Sequence, residues 1–200
     1  MKEGFFAASL AFALGLPLAA QAADLQRAEE IVGGRCFLCH GMEGEAASAL
    51  YPRLAGQNAD YLARQLGDFK SGRRKSETMA GMVDELTPEE MKSLGAFFQK
   101  KPATRSEAGD ADLAGVGRYI FVKGNPFSGV AACVSCHGTK GHGTPQLPRL
   151  AGQQPLYLEN QLKQFNTRER NNDNAVMHSI AAKLTELEVK AVSSYLSTLE

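Results

Sequence analysis

Cys36-Phe37-Leu38-Cys39-His40-Gly41 and Cys133-Val134-Ser135-Cys136-His137-Gly138 are one phrase written twice, 97 residues apart. The text around them repeats as well. Pro52-Arg53-Leu54-Ala55-Gly56-Gln57 returns as Pro148-Arg149-Leu150-Ala151-Gly152-Gln153, 96 residues on. Tyr61-Leu62, Gln65-Leu66 and Phe69 return as Tyr157-Leu158, Gln161-Leu162 and Phe165, and Met79 before Leu86-Thr87 returns as Met177 before Leu184-Thr185. Offsets this constant describe a tandem duplication of a unit of about 80–90 residues, a size that needs help beyond its own apolar core.

Each copy reads as helical. Leu25 to Arg35 is a short amphipathic segment running into the first Cys motif, and Asn58 to about Ser71 carries Tyr61, Leu62, Leu66 and Phe69 on one face. Thr87-Pro88-Glu89-Glu90 opens another helix with the N-cap, proline and N3 glutamate of a capping box, and Met91, Leu94, Phe97 and Phe98 follow on one side. Thr185 and Glu188 repeat the box ahead of Val189, Val192, Tyr195 and Leu196. Strand signals are few, so the fold class is all-α, twice over. The polar, unperiodic run 101–110 reads as a linker between a domain at 24–100 and one at 111–200.

Residues 1–23 are a separate matter. Lys2, an apolar run from Phe5 to Ala20 and the Ala20-Gln21-Ala22 site have the order of a cleaved signal peptide. The apolar run is shorter than the ~20 residues of a spanning helix. The reading is export to an oxidising compartment, the periplasm. The chain holds 22 Lys+Arg against 22 Asp+Glu in 200 residues, a balance kept within each half. A phosphate-binding surface would show a basic excess, so nucleic acid is not an expected partner.

Two thiols three apart with His next fit covalent haem attachment. Cys36, Cys39, Cys133 and Cys136 would add to vinyl groups as thioethers, and His40 and His137 would be carried to the irons as axial ligands. Three other readings compete: half of a zinc site, a thioredoxin-type dithiol, and short disulfides Cys36–Cys39 and Cys133–Cys136. The duplication and the two histidines favour haem. The sixth ligand is sought in a loop between the second and last helices, where Met79 and Met177 are repeat equivalents. Met82 is a rival in the first half, but its counterpart is Ile180; His178 adjoins Met177, but the first half has Ala80 there. His142, in a Gly-rich loop, reads as exposed. The carbonyls of Pro52 and Pro148 are placed to accept from the ligating imidazoles. Arg53 and Arg149 are candidates to pair with haem propionates, and Tyr61 and Tyr157 to add hydroxyl donors, against plain surface and packing roles.

These residues, with Gly124-Asn125-Pro126 before Gly129-Val130-Ala131-Ala132-Cys133, resemble the diheme cytochrome c4 family over essentially the whole mature chain. The resemblance implies two class-I cytochrome c domains, each wrapped round one haem c and related by a pseudo-twofold axis. It implies propionates facing across the interface, His/Met ligation at both irons, and periplasmic electron transfer from a redox donor to a terminal oxidase, with peripheral membrane association in some members. The Glu- and Ala-rich loop from Gly41 to Tyr51 departs from the family pattern. The expected role is therefore an electron carrier rather than an enzyme. Two alternatives are a cytochrome subunit docked on a flavoprotein, as in flavocytochrome c sulfide dehydrogenase, and a diheme enzyme of peroxidase or thiosulfate dehydrogenase type. The last needs an iron with an open or displaceable ligand, which Met79 and Met177 would both fill.

Overall fold

The structure, a computed structural model, describes residues 23–107 and 109–200; the signal-peptide reading of 1–23 lies almost wholly outside them. The first half contains α1 (Leu25–Ile31), α2 (Phe37–His40), α3 (Ala59–Lys70), α4 (Glu77–Val83) and α5 (Pro88–Gln99). The second contains α6 (Ala111–Lys123), α7 (Val134–His137), α8 (Pro155–Thr167), α9 (Val176–Ala181) and α10 (Glu186–Ser197). Among the described residues the β structure is a single isolated bridge, Asn125 to Val130. No helix among them is long and apolar enough to cross a membrane.

In each half two helices pack on the last one: α1 and α3 on α5, α6 and α8 on α10. The apolar stripes face these contacts. Ala28, Ile31, Val32, Leu62, Phe69, Leu94, Phe97 and Phe98 form one buried cluster, while Ile120, Phe121, Leu158, Val192 and Leu196 form another. Both capping boxes are closed, Thr87 with Glu90 and Thr185 with Glu188, satisfying amide groups that a helix start leaves without partners. The helices cross closely at glycine. A Cβ on Gly95 would lie 2.4 Å from the Ala59 carbonyl oxygen, and one on Gly117 1.9 Å from that of Ala191.

The halves differ where the first helix meets the Cys motif. In the first half α1 runs through a π-helical turn, Val32–Cys36, straight into α2. In the second, Gly124–Gly129 forms an inserted loop, closed by the Asn125–Val130 bridge and by Asn125 Nδ2 donating to Glu188 at 2.7 Å. The methionine segments correct the sequence reading, which expected loops. Met79 sits inside α4 and Met177 inside α9. In α4, Ser76 caps the helix by accepting from the Met79 amide at 3.2 Å, and Met79 and Val83, four apart, both turn toward the first core; α9 has no side-chain cap and starts from Ala175.

The 101–110 segment does not hang free. Its Ser106 amide donates to the Ser197 carbonyl at 2.8 Å. A Cβ on Gly56 would lie 2.8 Å from Ala103 Cβ, and one on Gly152 2.1 Å from the Thr104 carbonyl oxygen. Both glycines have positive φ, 67° and 71°, so the repeated Leu-Ala-Gly-Gln phrase needs glycine for backbone and for space.

Gly117→Ala should lower stability by about 1–3 kcal/mol, because its methyl must displace the Ala191 backbone. Gly115→Ala, two residues earlier with open space around it, should be neutral or stabilising by up to ~1 kcal/mol. Chemical denaturation of the two variants checks the pair; equal midpoints would refute the close-crossing account.

Candidate haem sites

His40 and His137 end α2 and α7 and are buried. His40 Nδ1 lies 3.0 Å from the Pro52 carbonyl oxygen, and His137 Nδ1 lies 3.3 Å from that of Pro148. A proton on Nδ1 to make that bond leaves Nε2 with a free lone pair, the form a metal takes. Burial pushes both imidazoles below their ordinary pKa, outweighing the carbonyl bond that works the other way. They are thus held neutral.

The four cysteines form no disulfides with one another, which sets aside the short-disulfide reading. Burial pushes the Cys36 thiol up and the Cys133 thiol up to about 11. A dithiol redox catalyst needs a depressed pKa, so these sites do not suit the thioredoxin reading. Nor, among the described residues, do three or more His, Cys, Asp or Glu side chains converge as a metal-ion site would require. Met79 is partly buried and packs on the first core, whereas the rival Met82 is 41% exposed. Met177 is partly buried in α9. His178 Nδ1 lies 2.9 Å from the Phe165 carbonyl oxygen. His142 is exposed, with Nε2 2.6 Å from a Glu200 oxygen.

Beside the sites runs a polar seam between the halves, and its bonds come in reciprocal pairs. The Arg53 amide donates to Gln153 Oε1 at 2.8 Å, and Gln153 Nε2 donates to the Arg53 carbonyl at 2.9 Å. Gln57 does the same with Arg149, at 2.7 and 2.9 Å. Each histidine's carbonyl partner, Pro52 or Pro148, therefore adjoins a residue bonded to the opposite half. Deeper in, Arg74 donates to Tyr157 Oη at 2.9 Å and to Gln161 Oε1 at 2.8 Å. Arg170 donates to Tyr61 Oη at 3.1 Å and Gln65 Oε1 at 3.0 Å. Burial works to raise the Tyr157 phenol, but the Arg74 and Arg170 charges outweigh it and hold the group below its ordinary pKa.

The guanidinium of Arg53, expected to face a propionate, is engaged with the Gly152 carbonyl and with Ser106 Oγ. Arg149 Nε donates to Ala151 O at 3.2 Å. Yet buried Arg53 Nε has no partner, and burial lowers the pKa of both Arg53 and Arg149. Arg74 and Arg170 are each only 8% exposed, and their contacts are mostly neutral hydroxyl and amide oxygens. A buried donor without an acceptor and an excess of buried cations suit an anionic group such as a haem carboxylate. The donor set also fits haem: a thiol pair, a neutral imidazole and a thioether in each half.

Sequence reasoning did not single out Arg74, Arg170 or the glutamines. The signal was present, since Arg74 and Arg170 keep the same 96-residue offset as Phe69 and Phe165 and follow them by five residues. Gln57→Ala would strip the Arg149 amide and carbonyl of their partner across the seam. It should cost about 1–3 kcal/mol and split the thermal transition in calorimetry into two. A variant as stable as the parent, with one transition, would refute the claim that these bonds couple the halves.

Comparison with known proteins agrees with this arrangement. Residues 121–200 match the cytochrome c family model, and residues 23–98 match that of subunit III of cbb3-type cytochrome c oxidase. The chain is 40% identical to cytochrome c4 of Thiocapsa roseopersicina, over 90% of this chain and 95% of that protein. It is 37% identical to the thiosulfate dehydrogenase electron acceptor of Stutzerimonas stutzeri, over 94% of this chain and 91% of that one. The crystal structure of reduced recombinant cytochrome c4 from Pseudomonas stutzeri superposes with a TM-score of 0.84 at 33% identity, over 90% of this chain and 100% of that one. With two cytochrome c units, two covalently bound haem c groups and likeness along its length, this chain belongs to the cytochrome c4 family of diheme electron-transfer proteins.

Proposed function

We propose that the protein is a periplasmic carrier of single electrons from a respiratory-chain donor to a terminal oxidase, with residues 24–100 and 111–200 as its two haem-bearing domains and 101–110 as the join. The observation that carries this reading is the reciprocal seam. It fixes the two sites relative to each other through Pro52-Arg53 and Pro148-Arg149, as a two-centre relay requires.

Cys36, Cys39, Cys133 and Cys136 would hold the groups covalently, with His40 and Met79, and His137 and Met177, as axial pairs. Bound haem supplies a one-electron iron couple whose potential a thioether ligand raises. The chain's residues do the rest. Pro52 and Pro148 hold the imidazole protons at Nδ1 and set ring orientation. The apolar clusters exclude water and so tune the potential. Arg53, Arg149, Tyr61 and Tyr157 supply cationic and hydroxyl groups toward the interface side. Met79 and Met177 as ligands would leave neither iron open to substrate, which supports transfer rather than catalysis.

The likeness to a thiosulfate dehydrogenase electron acceptor supports a second reading of the donor: a thiosulfate-oxidising enzyme handing electrons to this chain. The chemistry of the carrier is the same in both. A docked flavoprotein would show itself by co-purification.

The oxidised holoprotein should contain two haems per chain by pyridine haemochrome and show the Met–iron absorption band near ~700 nm. Met79→Ala and Met177→Ala should each remove about half of that band while leaving both haems attached, since the thioethers are untouched. A full band in Met79→Ala would instead assign the ligand to another residue. A high-spin component in the parent protein would favour the enzyme reading.

A further inference from the structure

We propose that each half positions the other half's methionine: Arg74 and Arg170 are positioning residues whose bonds across the seam anchor the segments that carry Met79 and Met177. This rests on the assignment of those methionines as axial ligands.

Arg74 stands five residues before Met79. Its amide donates to the Asp68 carbonyl at 3.0 Å, its guanidinium lies 4.6 Å from the centre of the Phe69 ring, and Nη1 donates to Gln65 Oε1 at 2.9 Å. Those contacts belong to its own half. The remaining bonds, to Tyr157 and Gln161, reach α8 of the other half. Ser76, two residues on, then caps the helix that carries Met79. The chain from the guanidinium anchor to the methionine is thus a few residues long and tied at both ends.

The second half repeats the device with the roles exchanged. The Arg170 amide donates to the Gln164 carbonyl at 3.0 Å, its guanidinium lies 4.5 Å from the centre of the Phe165 ring, and Nη1 donates to Gln161 Oε1 at 2.7 Å. Nη2 crosses to Tyr61 and Gln65. Here a second residue crosses too. Asn172 Nδ2 donates to Gln65 Oε1 at 3.1 Å and Asp68 Oδ2 at 2.7 Å.

The stronger tie falls on the more strained segment. Asn174 and Ala175, just before α9, have φ of 52° and 66°, a left-handed conformation that alanine in particular rarely adopts. Such a turn persists only where its surroundings over-determine it. Asp173 does part of this, accepting from the amides of Ala175 and His178. His178 against the Phe165 carbonyl and Arg170 Nε donating to Asn172 Oδ1 add ties within the half, and the first half adds the bonds of Arg170 and Asn172 to Tyr61, Gln65 and Asp68. Met177 should therefore depend on seam residues of α3 more than Met79 depends on those of α8.

The test uses the reduced diheme holoprotein and reads the ring-current-shifted methyl signals of the coordinated methionines by NMR, assigned to each half. Tyr61→Phe, in the first half, should move or broaden the Met177 signal, and Tyr157→Phe, in the second, that of Met79. Tyr61→Phe alone should have the smaller effect of the two, since Asn172 keeps its own tie; the greater dependence of Met177 should show when both ties are removed. Adding Asp68→Ala should enlarge the Met177 shift. Arg74→Lys and Arg170→Lys, which keep the charge but lose the fork, should each move the signal of their own half. A purely local role would move only the substituted tyrosine's own methionine, and that result, or no movement, overturns the cross-seam anchoring. Unmoved signals in both lysine variants would overturn it independently. A parent protein without two methionine signals would overturn the ligand assignment, and this inference with it.

Discussion

Two guanidiniums, Arg74 and Arg170, are buried at one seam and share the side-chain oxygens of Gln65 and Gln161. Removing two cations from water is costly unless every donor finds an acceptor and counter-charge is near. Asp68 is the carboxylate bonded within this group, through Asn172 and Gln65. The arrangement is sustainable only because each arginine stacks on a phenylalanine of its own half and borrows a tyrosine hydroxyl from the other. Separating the halves would expose or orphan both charges. The paired architecture follows from that constraint.

The same constraint explains why the duplication has stayed regular at the seam and drifted elsewhere. Pro-Arg-Leu-Ala-Gly-Gln is kept in both halves because each copy gives the other an amide, a carbonyl and a glutamine. Its glycine leaves room for the joining segment at Ala103 and Thr104. Away from the seam the copies diverge: a π-helical turn leads into Cys36, a bridged loop leads toward Cys133, and α4 is capped by Ser76 whereas α9 starts from a left-handed Ala175. Two charge differences mark the network: Asp68 stands against Gln164, and Arg73, which pairs with Asp68 at 2.8 Å, stands against Glu169.

For a one-electron carrier, rigidity is functional. Little reorganisation around each iron is wanted, and ligand loss would change its potential. The histidines are held neutral by burial and oriented by backbone carbonyls that cannot titrate. Arg53 illustrates how one side chain serves two ends. Part of its guanidinium binds the opposite half, and Nε remains for an acceptor that the chain itself does not supply.

Much of this was legible in the residues alone. The two Cys-x-x-Cys-His phrases, the constant offset and the capping boxes are local patterns, and local chemistry decides them: thioether geometry demands that spacing, and a helix start demands a cap. The helical class and the pairing of Met79 with Met177 followed from the same kind of information. Two things did not follow. One was that the methionines lie in short helices rather than loops, which depends on Ser76 capping α4 and on Met79 finding a core to face. The other was the seam, where Arg74 meets Tyr157 across 83 residues and Arg170 meets Tyr61 across 109. An arginine in a polar loop looks solvated in a sequence; only the docking of two halves makes it buried, because burial belongs to the space around a side chain and not to its neighbours along the chain.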